Sequence, residues 1–147
     1  MPYITNADIE LRVGHSAYVQ LADDDGDGAA DTAVVDAVRD AAEGEIDGFL
    51  AGRYQTPIDL SAHPELTGLM ASLALDVAEY RLRLRRPPVA PDIGRRYEQT
   101  VEWLRRLATG VIQLPTLATA SGPTAGGVRA KAIGEPRVLT RDELSAH

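Results

Sequence analysis

Apolar residues recur at every third or fourth position through most of residues 1–114, and this period predicts α-helices rather than strands. Two short helices are predicted first, from about Asn6 to Val13 and from His15 to Leu21. Three long helices follow, and they cover Thr32 to Arg53, Pro64 to Arg85 and Pro91 to Thr109. The sequence therefore predicts an all-α fold, a small helical bundle of about four to five helices, of which two or three are long.

Residues that favour helix ends indicate where several of these helices begin and stop. Thr5, followed three residues later by Asp8, fits a capping box at the first helix, and Gly14 fits its end. Asp31 is placed to cap the first long helix, and Gly110 is placed to end the last one.

The same pattern assigns the inward-facing positions. In the second long helix the predicted seam consists of Leu66, Met70, Leu73, Val77, Tyr80 and Leu84. Trp103 lies close to the inward face of the last helix, and we expect it to anchor the bundle. Val111 to Leu114 is a short apolar run that predicts either a strand or a segment that covers the bundle.

Three glycines interrupt the first long helix at a regular spacing. Gly44, Gly48 and Gly52 lie four residues apart and so form a stripe on one face. Each glycine costs a helix about 1 kcal/mol relative to alanine, so three of them need a reason. A stripe without Cβ atoms lets another backbone come close, and we assign Tyr54 to the same surface. The preferred partner is another helix of the same chain, and the alternative is a neighbouring subunit.

Composition excludes several classes of protein. With 147 residues, of which 44% are hydrophobic, one domain with a modest core is expected. The absence of cysteine excludes disulfides, thiolate metal sites and thiol catalysis. No run approaches the roughly 18 apolar residues of a membrane span, and the N-terminus lacks a signal peptide. We therefore expect a soluble product of the bacterial cytoplasm that makes no contact with a membrane.

Charge is spread unevenly along the chain, whose net charge is −7. Residues 1–63 carry 13 acids and 3 bases, which gives −10, whereas residues 64–114 carry 6 acids and 8 bases, which gives +2. The last 33 residues carry 3 acids and 4 bases, which gives +1. The acidic total argues against a protein that binds nucleic acid through its phosphates. The asymmetry would suit head-to-tail contacts between copies, which can close a ring.

An acidic loop is the one candidate metal site in the sequence. Asp23, Asp25, Asp27 and Asp31 fit the pattern D-x-D-x-D-G-x-x-D, which begins a calcium loop of the EF-hand type. The twelfth position of that loop should be a glutamate, but it is Val34 here. The alternative is an acidic turn before a helix N-terminus, where negative charge is favourable. Ca²⁺ is thus a possible ligand, and no cofactor is required.

The sequence gives little support for a catalytic function. His15, His63 and His147 are scattered, and the sequence contains no nucleophile elbow, phosphate loop or dinucleotide fingerprint. We therefore expect no enzyme. An arginine-rich stretch from Arg81 to Arg86 could hold phosphates, but arginines at helix ends more often pair with nearby acids. Nucleic-acid binding is therefore the weaker alternative.

The composition changes from Pro115 onward. The residues that follow are mostly small or polar and have little to bury, as in a segment that orders only on a partner. A short apolar patch returns with Val138, Leu139 and Leu144. The predicted organisation is a helical adaptor domain over residues 1–114 and an extended C-terminal arm over residues 115–147 that docks on a partner.

Several motifs resemble a known phage family. Glu-Ile-Asp-Gly-Phe-Leu-Ala-Gly-Arg-Tyr at residues 45–54, followed by Gln-Thr-Pro-Ile, resembles the signature of the phage Mu-type head–tail joining (connector) proteins, which prophages also encode. The opening Met-Pro-Tyr-Ile-Thr, the acidic loop and the Arg-Val-Leu-Thr-Arg pattern at residues 137–141 are similar to parts of the same family. These pieces occur in the same order and span most of the chain.

The resemblance implies a structural virion protein. Such a protein is a helical adaptor that forms a ring, expected to hold twelve copies, between the portal and the tail or stopper of a tailed phage or phage-derived particle. DNA would pass through the central channel during ejection without sequence-specific binding. The arm with Val138, Leu139 and Leu144 would dock on the portal. The alternative is a monomeric calcium-loop module that binds another protein.

Overall fold

The computed structural model of the protein describes residues 1–114 and 117–119. Over this range it contains five α-helices and no strand, and the helices are α1 (Asn6–Val13), α2 (His15–Ala22), α3 (Thr32–Leu50), α4 (Thr67–Leu84) and α5 (Pro91–Thr109). A 3₁₀ turn, Pro64–Leu66, leads into α4. The prediction of an all-α fold is confirmed for this part of the chain. Val138, Leu139 and Leu144 lie outside the described residues, so the predicted arm stays a prediction.

The core lies between the three long helices, and α3 packs most extensively on α4. Small side chains at Ala42 of α3 and Ala74 and Ala78 of α4 are completely buried, and they allow the helix axes to come close. From α5, Leu104 and Leu107 complete the core. The two short helices, α1 and α2, pack on α3 and α4.

The segment before α1 is fastened to α3 by polar contacts. The backbone N–H groups of Tyr3 and Ile4 both donate to Glu43 Oε1, at 2.7 and 3.1 Å. The Tyr3 hydroxyl donates to Asp47 and accepts from the N–H of Ile58. Burial, together with the bond to Asp47, raises the pKa of Tyr3 well above its ordinary value. The first residues of the chain therefore belong to the folded body.

The predicted helix ends depend on local chemistry, and most of them are confirmed. The Thr5 hydroxyl accepts from the N–H of Asp8, and the Asp8 carboxylate accepts from the N–H of Thr5, which is the predicted capping box. Gly14 and Gly110 end their helices with positive φ values of 88° and 80°. Asp31 precedes α3 as predicted, but its side chain makes no capping bond there.

Two predictions about the core are wrong. Leu84 is 51% exposed, while Leu82, which was not part of the predicted seam, is fully buried. The reason is tertiary, because α1 and α2 also pack on α4 and shift its buried face away from Leu84. Trp103 is only partly buried at the edge of the core, and its neighbour Leu104 takes the central place.

The segment after α5 covers the bundle and forms no strand. Val111 is 76% exposed, whereas Leu114 is buried. The backbone N–H of Leu114 donates to the buried hydroxyl of Tyr54 at 3.2 Å. Of the two predicted alternatives for residues 111–114, the covering segment is the observed one. Tyr54 therefore lies in the core and not on a surface for another subunit.

Candidate docking surface and acidic loop

The glycine stripe faces away from the core. Gly44, Gly48 and Gly52 are exposed, and a Cβ atom added to any of them would meet nothing within 4 Å. The preferred interpretation from the sequence, packing against another helix of the same chain, is therefore wrong for the described residues. The physical reason is that α4 and α5 pack on the opposite side of α3, where Ala42 and Ile46 are completely buried.

Alanines extend this bare surface toward the N-terminus of α3. Ala33, Ala37 and Ala41 are exposed and lie four residues apart, and a step of three residues joins them to Gly44 on the same helix face. We call the whole set the small-residue face, and its members are Ala33, Ala37, Ala41, Gly44, Gly48 and Gly52. From residue 33 to residue 48 it is about 22 Å long, at 1.5 Å per residue. The sequence analysis identified the glycines and missed the alanines, which a spacing of three and four residues would have revealed.

Beside the alanines, the surface deepens into an apolar groove between α3 and the end of α4. This α3–α4 groove has a volume of about 600 Å³ and is lined by Ala33, Val34, Ala37, Val38, Ala41, Arg81, Leu84 and Arg85. The exposed Leu84 forms part of its wall. A half-exposed leucine above a floor of small aliphatic residues is the kind of surface that another protein can cover.

The two arginines of the groove are held in place by groups within the chain. Arg81 donates to Glu45 Oε2 from Nε at 3.0 Å and from Nη2 at 2.6 Å. The hydroxyl of Tyr97 donates to the other oxygen of Glu45 at 2.8 Å, so this carboxylate joins α3, α4 and α5. Burial and the bond to Glu45 raise the pKa of Tyr97 to about 12. On the same wall, Arg85 donates to the Leu21 carbonyl and to Asp24.

Charge pairing within the chain changes the interpretation of the uneven charge distribution. Arg81, Arg85 and Arg86 each pair with an acid from the first 63 residues, namely Glu45 or Asp24. Part of the basic charge at the end of α4 is therefore paired with acids of the same copy. This weakens the argument that charge brings neighbouring copies together, and it leaves the arginine-rich end of α4 poorly suited to bind phosphates.

The acidic loop brings three of its four predicted ligands together. Carboxylate oxygens of Asp23, Asp25 and Asp27 lie within 4.8 Å of one another. Asp31 is not part of this group, because its carboxylate accepts from the backbone N–H of Asp24 at 2.7 Å and closes the loop. The twelfth position of the loop, Val34, lies in α3 and lines the groove. It brings no carboxylate to the loop.

Backbone N–H groups and neighbouring charges set the pKa values in this loop. The N–H groups of Gly26 and Gly28 donate to Asp23, and the first of these bonds is the largest cause that lowers its pKa. For Asp25, the bond from the Asp27 N–H lowers the pKa, but desolvation and the neighbouring carboxylates outweigh it and raise the pKa. Three converging oxygens fit a hard divalent cation such as Ca²⁺, with fewer protein ligands than an EF-hand supplies. Calcium binding stays a prediction.

Over the described residues, these features define a class of protein: a small all-helical body with an uncovered small-residue face, an apolar groove beside it and an acidic loop. Among the described helices, none combines the length and the apolar character that crossing a membrane requires. The sequence model of the family described as Bacteriophage Mu, Gp36 matches residues 3–132 of the 147. The chain therefore belongs to this phage protein family, which confirms the resemblance found in the sequence. No curated protein matches the chain.

Proposed function

We propose that this protein is a structural virion protein, a head–tail connector that forms a ring between the portal and the tail or stopper of a tailed phage or phage-derived particle. The observation that carries the proposal is the small-residue face, which nothing covers among the described residues. Membership of the Mu Gp36 family supports it, because a phage protein needs assembly surfaces. The protein would be located at the head–tail junction and would have no catalytic role.

The small-residue face is more easily explained by assembly than by folding. An exposed glycine weakens a helix by about 1 kcal/mol relative to alanine. Gly44 and Gly48 incur this cost and make no contact in the described chain that could offset it. Contact with another copy offsets the cost, because backbones can approach closely where side chains are absent. The copy would contact the face through a different surface of its own, and such a heterologous contact closes a ring when its rotation permits.

The remaining partners follow from the sequence. The arm of residues 115–147 would dock on the portal through Val138, Leu139 and Leu144, which lie outside the described residues. The ring is expected to hold twelve copies and to leave a channel for DNA. A net charge of −7 supports passage of DNA without binding, because phosphates are repelled.

Bulky substitutions on the small-residue face test this proposal in the full-length protein. Gly44→Leu and Gly48→Leu should fold normally, because a Cβ atom added at either position meets nothing within 4 Å. Gly68→Leu is the matched control, since Gly68 is an exposed glycine of α4 that also has nothing within 4 Å of an added Cβ. Electron microscopy of each variant mixed with the portal protein of the same phage should show rings only for wild type and the control.

The outcomes separate the parts of the proposal. Rings from both Gly44→Leu and Gly48→Leu would show that the small-residue face is not the subunit contact. No ring from wild type on the portal would exclude the connector function itself. The calcium-loop module would then be the best remaining alternative. In that case the protein should be a monomer, and its melting temperature should be higher with Ca²⁺ than with EDTA.

A further inference from the structure

Arg53 occupies an unusual place at the end of α5. It lies in the turn after α3, and its guanidinium rests against Gly110, the residue that ends α5. A Cβ atom added to Gly110 would lie 2.2 Å from Arg53 Nη1 and 2.7 Å from Cζ. The missing side chain of Gly110 therefore creates the space that the guanidinium occupies.

Arg53 also lacks the partner that a partly buried arginine needs. Its Nε atom is shielded from solvent and has no hydrogen-bond partner, and no carboxylate pairs with Arg53 in the described chain. The other described arginines either pair with carboxylates or, like Arg95 and Arg105, are exposed to water. Guanidinium carries five N–H donors, and a buried donor left without an acceptor is rare in folded proteins.

The helix end explains only part of this arrangement. The C-terminus of α5 carries partial negative charge, which favours a cation beside it. This electrostatic attraction is not a hydrogen bond, so it leaves the shielded Nε–H without an acceptor. The rest of the guanidinium is less shielded, since Arg53 as a residue is partly exposed, and a planar acceptor with two oxygens can pair with it from outside in two parallel hydrogen bonds.

We propose that Arg53 is one half of a carboxylate-binding site that an Asp or Glu side chain completes from outside the described residues. Two protein sources can supply this group. One is the C-terminal part of the same chain, which follows Leu114, whose N–H donates to Tyr54, and carries Glu135, Asp142 and Glu143. The other is a neighbouring copy or the portal, and only this source rests on the proposed function. A nucleic-acid phosphate is disfavoured by the net charge of −7.

The two sources are distinguished with full-length variants. Arg53→Gln removes the charge, and Arg53→Lys keeps it but cannot form the planar pair. A triple variant, Glu135→Gln with Asp142→Asn and Glu143→Gln, removes the acidic side chains of the C-terminal part. Arg105→Gln is the matched control, since Arg105 is exposed and has no acidic partner among the described residues. Urea unfolding of the free protein and sedimentation with the portal are measured for each.

If the same chain supplies an acidic side chain, Arg53→Gln and the triple variant each lower the unfolding midpoint, and their combination lowers it no further. If another protein supplies the carboxylate, the triple variant leaves the midpoint unchanged, and Arg53→Gln and Arg53→Lys weaken association about tenfold or more. The coupling between Arg53→Gln and the triple variant is measured in the free protein. It can therefore be observed even if the wild-type protein forms no ring and the connector proposal fails. The inference is overturned if Arg53→Gln and the triple variant show no coupling in the free protein and Arg53→Gln associates with the portal as Arg105→Gln does.

Discussion

The glycines of this protein occupy two kinds of position, and substitution by alanine should have opposite effects at them. Gly110 has a φ of 80°, and an added Cβ would also displace Arg53. A residue with a Cβ in this left-handed conformation costs about 1–2 kcal/mol, so Gly110→Ala should lower the free energy of unfolding by that amount. Gly48→Ala should raise it by about 0.5–1 kcal/mol, because Gly48 lies in an open helix surface. Urea unfolding measures both, and a shift of the same sign in the two variants would contradict this distinction.

Tyr97 predicts how stability changes at alkaline pH. Burial and the hydrogen bond to Glu45 raise its pKa from 10.0 to about 12 in the folded protein. Its proton is therefore held more tightly in the folded state, so this contribution to stability is full below pH 10 and is lost as the pH rises toward 12. The unfolding midpoint of Tyr97→Phe should fall less steeply over this range than that of wild type. Equal slopes for the two proteins would mean that the pKa of Tyr97 is not raised.

Among the elements, α1 is joined to the rest of the bundle by a buried carboxylate. Glu79 of α4 is 4% exposed and accepts from Arg12 of α1 and from Arg83 of its own helix. Arg12→Met should lower the free energy of unfolding by about 1–3 kcal/mol, because it removes a charged partner from a buried acid. Arg106→Met is the control, since the Arg106–Glu102 pair is exposed and should be worth less than about 1 kcal/mol. Hydrogen exchange in α1 should also speed up in Arg12→Met alone, and unchanged exchange there would contradict the role of Arg12.

Helix ends could be predicted from the sequence because their causes are local. The bonds between Thr5 and Asp8 involve residues three positions apart, and the positive φ of Gly110 depends on the residue itself. The buried faces could not be predicted fully, because they depend on which helices pack where. Leu82 and Leu84 are equally apolar, and the way in which the other helices pack on α4 decides which of them is covered.

In the candidate site, too, features with local causes could be predicted from the sequence, and features that depend on packing could not. The spacing of Gly44 and Gly48 correctly placed them on one face, but spacing cannot say whether that face meets the core or the solvent. The aspartates of the acidic loop were found because they are close in sequence, and three of them do converge. Arg53 could not be identified in this way, because its surroundings come from Gly110, which is 57 residues away (110 minus 53).

For the whole molecule, pairing of charges within the chain predicts how assembly of the proposed ring would respond to salt. Each copy has a net charge of −7, and Arg81 and Arg85 are already paired with Glu45 and Asp24. A subunit contact through the small-residue face and the α3–α4 groove is apolar, so the main electrostatic effect between copies is repulsion. Raising NaCl from about 0.05 M to about 0.5 M shortens the Debye length and should leave the yield of rings unchanged or increase it.

If the acidic part of one copy contacts the basic part of the next, the yield of rings should instead fall as the salt concentration rises, because salt screens attraction between opposite charges. The yield of rings is counted by electron microscopy at each salt concentration, and the portal alone serves as the control for its own response to salt. A yield that falls steadily with salt would show that paired charges join the copies. In that case Arg95 and Arg105, which are exposed and lack an acidic partner in the described chain, would be the first side chains to substitute. A constant or rising yield, lost in Gly48→Leu at every salt concentration, would instead assign the contact to the small-residue face.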